Sequence, residues 1–427
     1  MERREVLTYG ILGLPLAFGA LPIYLFVPDL YARSGLLGLS AIGFVLLLTR
    51  LIDGIADPCF GWLIDRYPRK PVLLGALIPF GVGFVALFTP GAIPVDPIVA
   101  LFVTLALCTL GFSGAMIAYQ AWGSDLGQDT VSRLRLTAAR EAFILAGVVI
   151  AAVIPTLISD DPLIGMQQLP WFMLAFLFLA VIMLCRVPSG MPHIATGALL
   201  DRLRLTLSDR RYRRLLLVFF ANGIASAFPA TLFVFYVTDV LQAPSYTGLL
   251  LAVYFLSAAL AMPFWVHIVQ RLGRPRTWIL AMLLAMAAFS SAAALGEGDW
   301  PLFLVICVIS GIAVGTDLTI PASIVADLGE SNGSAGTYFG VWNLVAKVNL
   351  ALAAGIALPL LSYLGYTPGS TDHTAVLIGT YVLLPLGLKA IAIVLLYCWR
   401  EDLSITLGIP LGAYDPLQTS HDRTNDR

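Results

Sequence analysis

Asp53 and Asp57 stand one helical turn apart inside an otherwise apolar stretch, Arg50-Leu-Ile-Asp53-Gly-Ile-Ala-Asp57-Pro58-Cys-Phe-Gly61. On a helix of about 3.6 residues per turn, Arg50, Asp53, Asp57 and Gly61 share one face within roughly 60° of arc, so two carboxylates converge on one point. Placing a carboxylate in the middle of a membrane-spanning helix costs roughly 2.5–3.5 kcal/mol on insertion scales, so paired acids there face an ion, a cavity or a basic partner. Pro58 adds an oxygen, because its missing N–H and its ring leave the Gly54 carbonyl without an intrahelical partner. Two carboxylates and a freed carbonyl suit a hard monovalent cation; the same acids can relay a proton or pair internally with Arg50 or another buried base.

Lys347, in Tyr338-Phe-Gly-Val-Trp342-Asn343-Leu-Val-Ala-Lys347, is the complementary charge. It lies too deep in its apolar stretch to snorkel to an interface, and its ammonium would neutralise the two acids when no cation is bound. Asn343, one turn earlier, is a candidate polar ligand. Tyr119, Gln120, Trp122 and Arg140, with Glu141 beside it, are candidate substrate-lining groups, as is Asp317 in Gly315-Thr-Asp317-Leu-Thr-Ile-Pro321. Against these stand interfacial anchoring for the aromatics, a cytoplasmic position for Arg140 and a structural role for Asp317. Lys389 sits in the last apolar stretch within reach of the interface. Gly61-Trp-Leu-Ile-Asp65-Arg66-Tyr-Pro-Arg69-Lys70 supplies a candidate gating loop, in which Gly61 permits close helix approach and Asp65, Arg66 and Arg69 can form state-dependent polar pairs.

The elements that position these residues follow from composition. The chain has 427 residues, 59% hydrophobic and 12% charged, with mean hydropathy +0.88, which excludes an ordinary soluble domain. About twelve stretches are long enough to cross roughly 30 Å of hydrocarbon, near 8–31, 38–64, 71–92, 97–124, 136–158, 167–187, 213–239, 245–269, 276–296, 300–326, 336–364 and 374–399. Lys and Arg alternate with these spans. Arg3 and Arg4 precede the first; Arg66, Arg69 and Lys70 follow the second; Arg133 and Arg135 follow the fourth. Arg202 to Arg214 follow the sixth, Arg271, Arg274 and Arg276 the eighth, and Arg400 the twelfth. The other loops carry Arg33 but otherwise acids such as Asp96, Asp160, Asp161, Glu297, Asp299 and Asp372, so the positive-inside rule puts both termini in the cytoplasm. The net charge of -1 carries no signal for nucleic acid. The cysteines fall singly without disulfide or metal spacing, and there is no Walker loop, nucleophile elbow or metal cluster, which argues against an enzyme or an ATP-driven pump.

Pro188-Ser-Gly-Met-Pro192 and the basic stretch to Arg214 form the one long connection inside the bundle. It divides the chain into six-helix bundles at 1–187 and 213–400, a cytoplasmic linker at 188–212 and a tail at 401–427. Pro58, Arg66 and Arg69 recur as Pro263, Arg271 and Arg274, all displaced by the same interval. The repeat breaks at the acids, whose counterparts are Ala258 and Met262. A parallel six-plus-six repeat is the plan of major-facilitator transporters, with the substrate site between the halves. The expected fold is therefore all-α and integral to the membrane: twelve transmembrane helices in two six-helix halves of the major-facilitator type.

The helix with Arg50, Asp53, Asp57, Pro58 and Gly61, the stretch from Gly315 through Pro321 to Ala326-Asp327, and Tyr338 to Lys347 together resemble the glycoside-pentoside-hexuronide:cation symporters, typified by melibiose permease. The resemblance spans nearly the whole chain. It implies that Asp53 and Asp57 are cation-binding acids, Lys347 a coupling lysine and Arg140 an arginine near the sugar site. The chain departs from the melibiose type in its first span, Gly10 to Pro22, and in Ala118 to Trp122, neither of which supplies the family's sugar-binding acid. After Ala326-Asp327 the second acidic pair is replaced by Leu328-Gly-Glu330.

The expectation is a cation-coupled symporter of a small, sugar-like solute, working by alternating access as a monomer in the inner cell membrane. The coupling ion is H⁺ or Na⁺, with no other metal and no cofactor, and the partners are the solute and the lipid bilayer. The alternatives are a carrier of an amphipathic, lysolipid-like substrate and a non-transporting scaffold or sensor.

Overall fold

The computed structural model describes residues 3–91, 94–159, 162–187, 189, 197–366 and 374–404. Residues 188 and 190–196 of the expected linker, most of the expected tail, and Asp160, Asp161 and Asp372 lie outside the described residues. Every described element is helical, as lipid demands of a chain whose backbone must satisfy its own hydrogen bonds.

In chain order the helices are α1 (Arg3–Gly10), α2 (Gly13–Leu25), α3 (Val27–Arg33), α4 (Leu39–Ile64), α5 (Arg69–Leu87), α6 (Pro97–Leu126), α7 (Thr130–Ile158) and α8 (Pro162–Leu184). After the short α9 (Leu199–Ser208) come α10 (Arg210–Phe235), α11 (Thr247–Leu272), α12 (Arg274–Ser290), α13 (Trp300–Ser331), α14 (Ala335–Tyr363), α15 (Thr374–Ile378), α16 (Leu384–Cys398) and α17 (Arg400–Leu403). Single π turns, Tyr236–Val240 and Gly379–Leu383, extend α10 and join α15 to α16.

Among the described residues, ten helical segments are long and apolar enough to cross a membrane. The 26-residue α4 is long enough as well, and it is the helix that carries Arg50, Asp53 and Asp57. The expected first span, 8–31, is broken into α1, α2 and α3. Pro15 has no N–H to return to the Ile11 carbonyl, so the helix restarts at Gly13. The expected fifth span starts earlier than 136: Asp129 caps α7 by accepting the Ser132 amide at 2.8 Å, so Arg133 and Arg135 are helical residues instead of loop residues.

α6 packs on α5 and α4, α7 on α2 and α11, α13 on α11, α10 on α16, and α14 on both α4 and α10. Apolar side chains line the outside as well as the core. Phe44, Leu47, Leu51 and Ile55 are exposed on the flank of α4 opposite Asp53 and Asp57, which are buried. A polar face turned inward and an apolar face turned outward is the pattern of a helix whose solvent is lipid.

Candidate cation and substrate site

Lys347 of α14 is the centre of the site. Its Nζ lies 2.7 Å from Asp53 Oδ2, 2.8 Å from Asp57 Oδ2 and 2.9 Å from Asp57 Oδ1. It also donates to Ser113 Oγ of α6 at 2.9 Å, and Ser113 in turn donates to Asp53 Oδ1 at 2.6 Å. The backbone oxygen nearest the ammonium is that of Asp53, at 3.4 Å, instead of the Gly54 carbonyl expected from Pro58. Three helices thus meet on one positive charge. The two acids are buried, whereas Lys347 keeps 29% of its side chain exposed.

The shared face of Arg50, Asp53 and Asp57 does not single out Lys347, which reaches both acids from another helix. Arg50 itself is exposed. Ser113 is a member of the site that the sequence did not reveal. The small neighbours in Gly111-Phe-Ser113-Gly114 let α6 pack closely, but no spacing rule tells which helix lies opposite a serine.

Next to the site, α4 and α14 touch backbone to backbone. A Cβ at Gly61 would fall on the Gly336 carbonyl, and one at Gly340 would fall 2.5 Å from the Asp57 carbonyl. Asp65 closes this seam. Its carboxylate accepts the Gly336 amide at 2.7 Å, the Thr337 amide at 2.8 Å and the Thr337 hydroxyl at 2.7 Å. Ser334, in the cap position of α14, makes no side-chain cap bond of its own, so the first turn of α14 is capped from the end of α4. Burial pushes the Asp65 carboxyl above the ordinary carboxylate range, opposed by Thr337, Arg69 and the two α14 amides.

The other gating-loop residues divide their tasks. Arg69 pairs with Asp125 at the end of α6 and donates to the Ala121 carbonyl at 2.6 Å. Arg66 stacks over Trp62 at 3.9 Å and donates to the Gly197 carbonyl, so it ties the end of α4 to the segment before α9. Arg274, the repeat counterpart of Arg69, does the matching job at the end of α13: it lies 2.6 Å from Asp327 Oδ2. Arg133 of α7 holds the other oxygen of Asp327 at 3.0 Å, and Thr130 adds a bond at 3.2 Å. Asp327 therefore locks α7, α12 and α13 together at the same end of the bundle as Asp65.

Several expected lining groups are committed elsewhere. Tyr119 is fully buried and donates to the Tyr9 carbonyl at 2.6 Å, while Tyr9 donates to the Tyr119 carbonyl at 2.8 Å. Trp122 is buried against Tyr9. Arg140 lies within α7 and binds Glu141 Oε1 at 2.8 and 3.1 Å. Gln120 and Asn343 pair across α6 and α14, with Asn343 donating at 2.9 Å. Asp317 accepts from Trp278 at 2.7 Å and pairs with Lys389 at 3.0 Å. Lys389 also binds Asn222 at 2.7 Å, so it turns inward and does not reach for the interface.

The comparisons agree with this architecture. The family described as MFS/sugar transport protein matches residues 7–400. The chain is 26% identical over 355 residues to the inner membrane symporter YicJ of Escherichia coli strain K12, covering 76% of this chain and 75% of that one. It is 23% identical over 402 residues to the glucuronide carrier protein homolog of the same organism, covering 87% of each. Among solved structures, a bacterial homologue of the iron transporter ferroportin in an outward-facing state has a TM-score of 0.73 at 17% identity, over 94% of this chain and all of that one. A variant of the E. coli fucose:proton symporter, FucP, has a TM-score of 0.70 at 14% identity, over 92% of this chain and 98% of that one. Those two likenesses concern the fold alone. A family match over nearly the whole chain and these relatives make it a multi-pass membrane transporter, not an enzyme, and it belongs to the glycoside-pentoside-hexuronide:cation symporter family of the major facilitator superfamily.

Proposed function

We propose that this transporter is a cation-coupled symporter of a small, sugar-like solute, and that Asp53, Asp57 and Lys347 are its coupling centre. The observation that carries the reading is the position of Lys347 Nζ, within 3 Å of both carboxylates and of Ser113. The ammonium stands where a bound cation would stand. When Na⁺ or H⁺ arrives at Asp53 and Asp57, one of the attractions holding Lys347 is lost, and the lysine becomes free to respond to cargo. The names of the relatives support coupling and cargo class, since they include a symporter, a glucuronide carrier and a putative glycoside/cation symporter.

In this reading α4 and the α1–α3 run complete twelve spans with the ten apolar segments, and 1–187 and 213–400 act as two halves. The linker at 188–212 and the tail at 401–427 lie with both termini in the cytoplasm. The gate is the set of contacts made by Gly61, Asp65 and Arg69, with Arg66 bracing the linker, and it is closed in this state. Gln120, Asn343, Arg140 and Asp317 are proposed cargo-side groups, acting through pairs that must part or lend hydrogen bonds; Tyr119 and Trp122 support the wall from behind.

A thermal-shift screen of glycosides and uronides on the purified protein, with and without Na⁺ at two pH values, tests the reading, because a ligand of the folded state raises its apparent stability. A sugar whose stabilisation grows with Na⁺ or with acid supports coupling. Sugar stabilisation indifferent to both ions would leave a uniporter, and no response to any sugar would remove the glycosidic cargo.

A further inference from the structure

The short helix α9 has one face in use and one face without an occupant. On its inner side Arg202 donates to Ser334 Oγ at 2.9 Å. Just before it, Trp62 of α4 and Arg66 just beyond α4 both donate to the Gly197 carbonyl. Just after it, Asp209 accepts the Tyr338 hydroxyl at 2.9 Å, and Tyr212 donates to the Tyr338 carbonyl at 2.5 Å. The helix therefore straps the end of α4 to the start of α14, directly over the seam that Asp65 closes.

One flank of its exposed side is apolar, with the exposed Asp201, Arg204 and Ser208 between that flank and Leu205, which is 65% exposed on the other side. Leu200 is 77% exposed and Leu207 is 43% exposed, and with the half-buried Leu203 they form a stripe at helical spacing. Asp201 lies off that stripe and Arg204 flanks it. From 199 to 214 the chain carries Arg202, Arg204, Arg210, Arg211, Arg213 and Arg214 against Asp201 and Asp209. Arg202 is engaged with Ser334 and Arg214 with Asp402. Among the described residues, Arg204, Arg210, Arg211 and Arg213 have no ion-pair partner.

We propose that α9 lies in the bilayer surface and is a contact site for anionic phospholipid headgroups. Position selects this occupant, since α9 is fixed to the ends of α4, α10 and α14 at the level where membrane-crossing helices leave the hydrocarbon. Charge selects it too, because the unpaired arginines complement an anionic leaflet and would repel a basic protein surface. A leucine stripe with basic flanks is the composition of an interfacial helix, and length does not decide the matter. The consequence reaches the seam: a strap seated in lipid holds Gly197 and Ser334 at fixed depth, and with them the α4 and α14 ends.

The test uses the full-length chain with exposed Cys59, Cys185 and Cys398 changed to Ser. A single nitroxide at Leu200→Cys, Leu207→Cys or Asp201→Cys is read by oxygen and nickel-chelate accessibility. The protein is placed in nanodiscs of phosphatidylcholine alone or of phosphatidylcholine mixed with phosphatidylglycerol. In the anionic mixture the Leu200 and Leu207 labels are expected at about 5–10 Å depth and the Asp201 label nearer water. Replacing Arg204, Arg211 and Arg213 by Gln should reduce the inserted fraction by roughly fivefold per charge, and the wild-type comparison of the two lipids tests the same point without those variants. Aqueous accessibility at both leucines in the anionic mixture would overturn the proposal, and so would equal depth in the two lipids.

Discussion

Asp65 reaches from the end of α4 to accept the Gly336 amide at 2.7 Å, doing for α14 what the helix's own Ser334 does not. The first turn of one helix therefore depends on a carboxylate from another. Separating α4 from α14 uncaps α14, so opening the seam has a cost written into local helix physics and not only into packing.

Asp65→Ala should shift the seam toward opening by about 1–2 kcal/mol, roughly a five- to thirtyfold change in population, since it removes a cap and leaves two amides without an acceptor. Distance distributions between spin labels on α4 and α14 would show a larger open population. An unchanged distribution would mean that packing alone holds the seam.

Acidification should act on the same contact with a definite sign. Burial holds the Asp65 carboxyl above its ordinary range in the closed seam, whereas an opened, hydrated Asp65 returns to that range. The closed state therefore binds the proton more tightly, and its advantage is fully present below the ordinary carboxylate range. That advantage fades as pH rises through the elevated value. Lowering pH through the interval just above the ordinary range should favour closure, with Asp65→Asn reducing the pH response. Arg69, 3.8 Å away, and the nearby Asp125 and Glu330 stay in place in that comparison. A closed population that falls on acidification would contradict the assignment.

Gly61→Val should oppose closure by sterics. The added Cβ would lie on the Gly336 carbonyl, a backbone atom that cannot rotate away as a flexible side chain can. The same label pair would report a wider seam, and a seam of unaltered width would show that α14 slides to accommodate the side chain.

Lys347→Gln should destabilise the protein by about 3–5 kcal/mol, because it leaves Asp53 and Asp57 buried side by side without their cation. Adding Asp57→Asn should recover part of that loss, since one uncompensated charge is then gone. Thermal unfolding of the single and double variants measures the coupling; strictly additive losses would mean that the three groups do not act as a unit. Ser113→Ala, by contrast, should cost less than Lys347→Gln and weaken cation binding by roughly tenfold, since it removes the bond donated to Asp53 and the one accepted from Lys347 but leaves the charges paired.

The acids and Lys347 are legible in the sequence because each is costly in lipid, and cost alone marks a group as needing a partner. The repeat is legible too: Arg69 and Arg274, matched by their interval, hold acids at the ends of α6 and α13. The opposite wall is not. Helical periodicity tells which residues share a face and not which helix the face meets. Ser113 is therefore invisible, and Lys389 reads as reaching for the interface while it pairs with Asp317. Arg140 and Glu141 read as neighbouring substrate-lining charges, and their adjacency in sequence does not tell that they pair with each other inside α7. The break of the first span at Pro15 is likewise hidden by uniform hydropathy, which registers length and not the missing N–H.

The measurement that bears most directly on the coupling centre is solute uptake into proteoliposomes under an imposed pH or Na⁺ gradient, for wild type and Asp57→Asn side by side. The account predicts that at least one gradient drives accumulation in wild type and that neither does so in Asp57→Asn, which retains at most downhill movement. Gradient-driven accumulation undiminished in Asp57→Asn would contradict it.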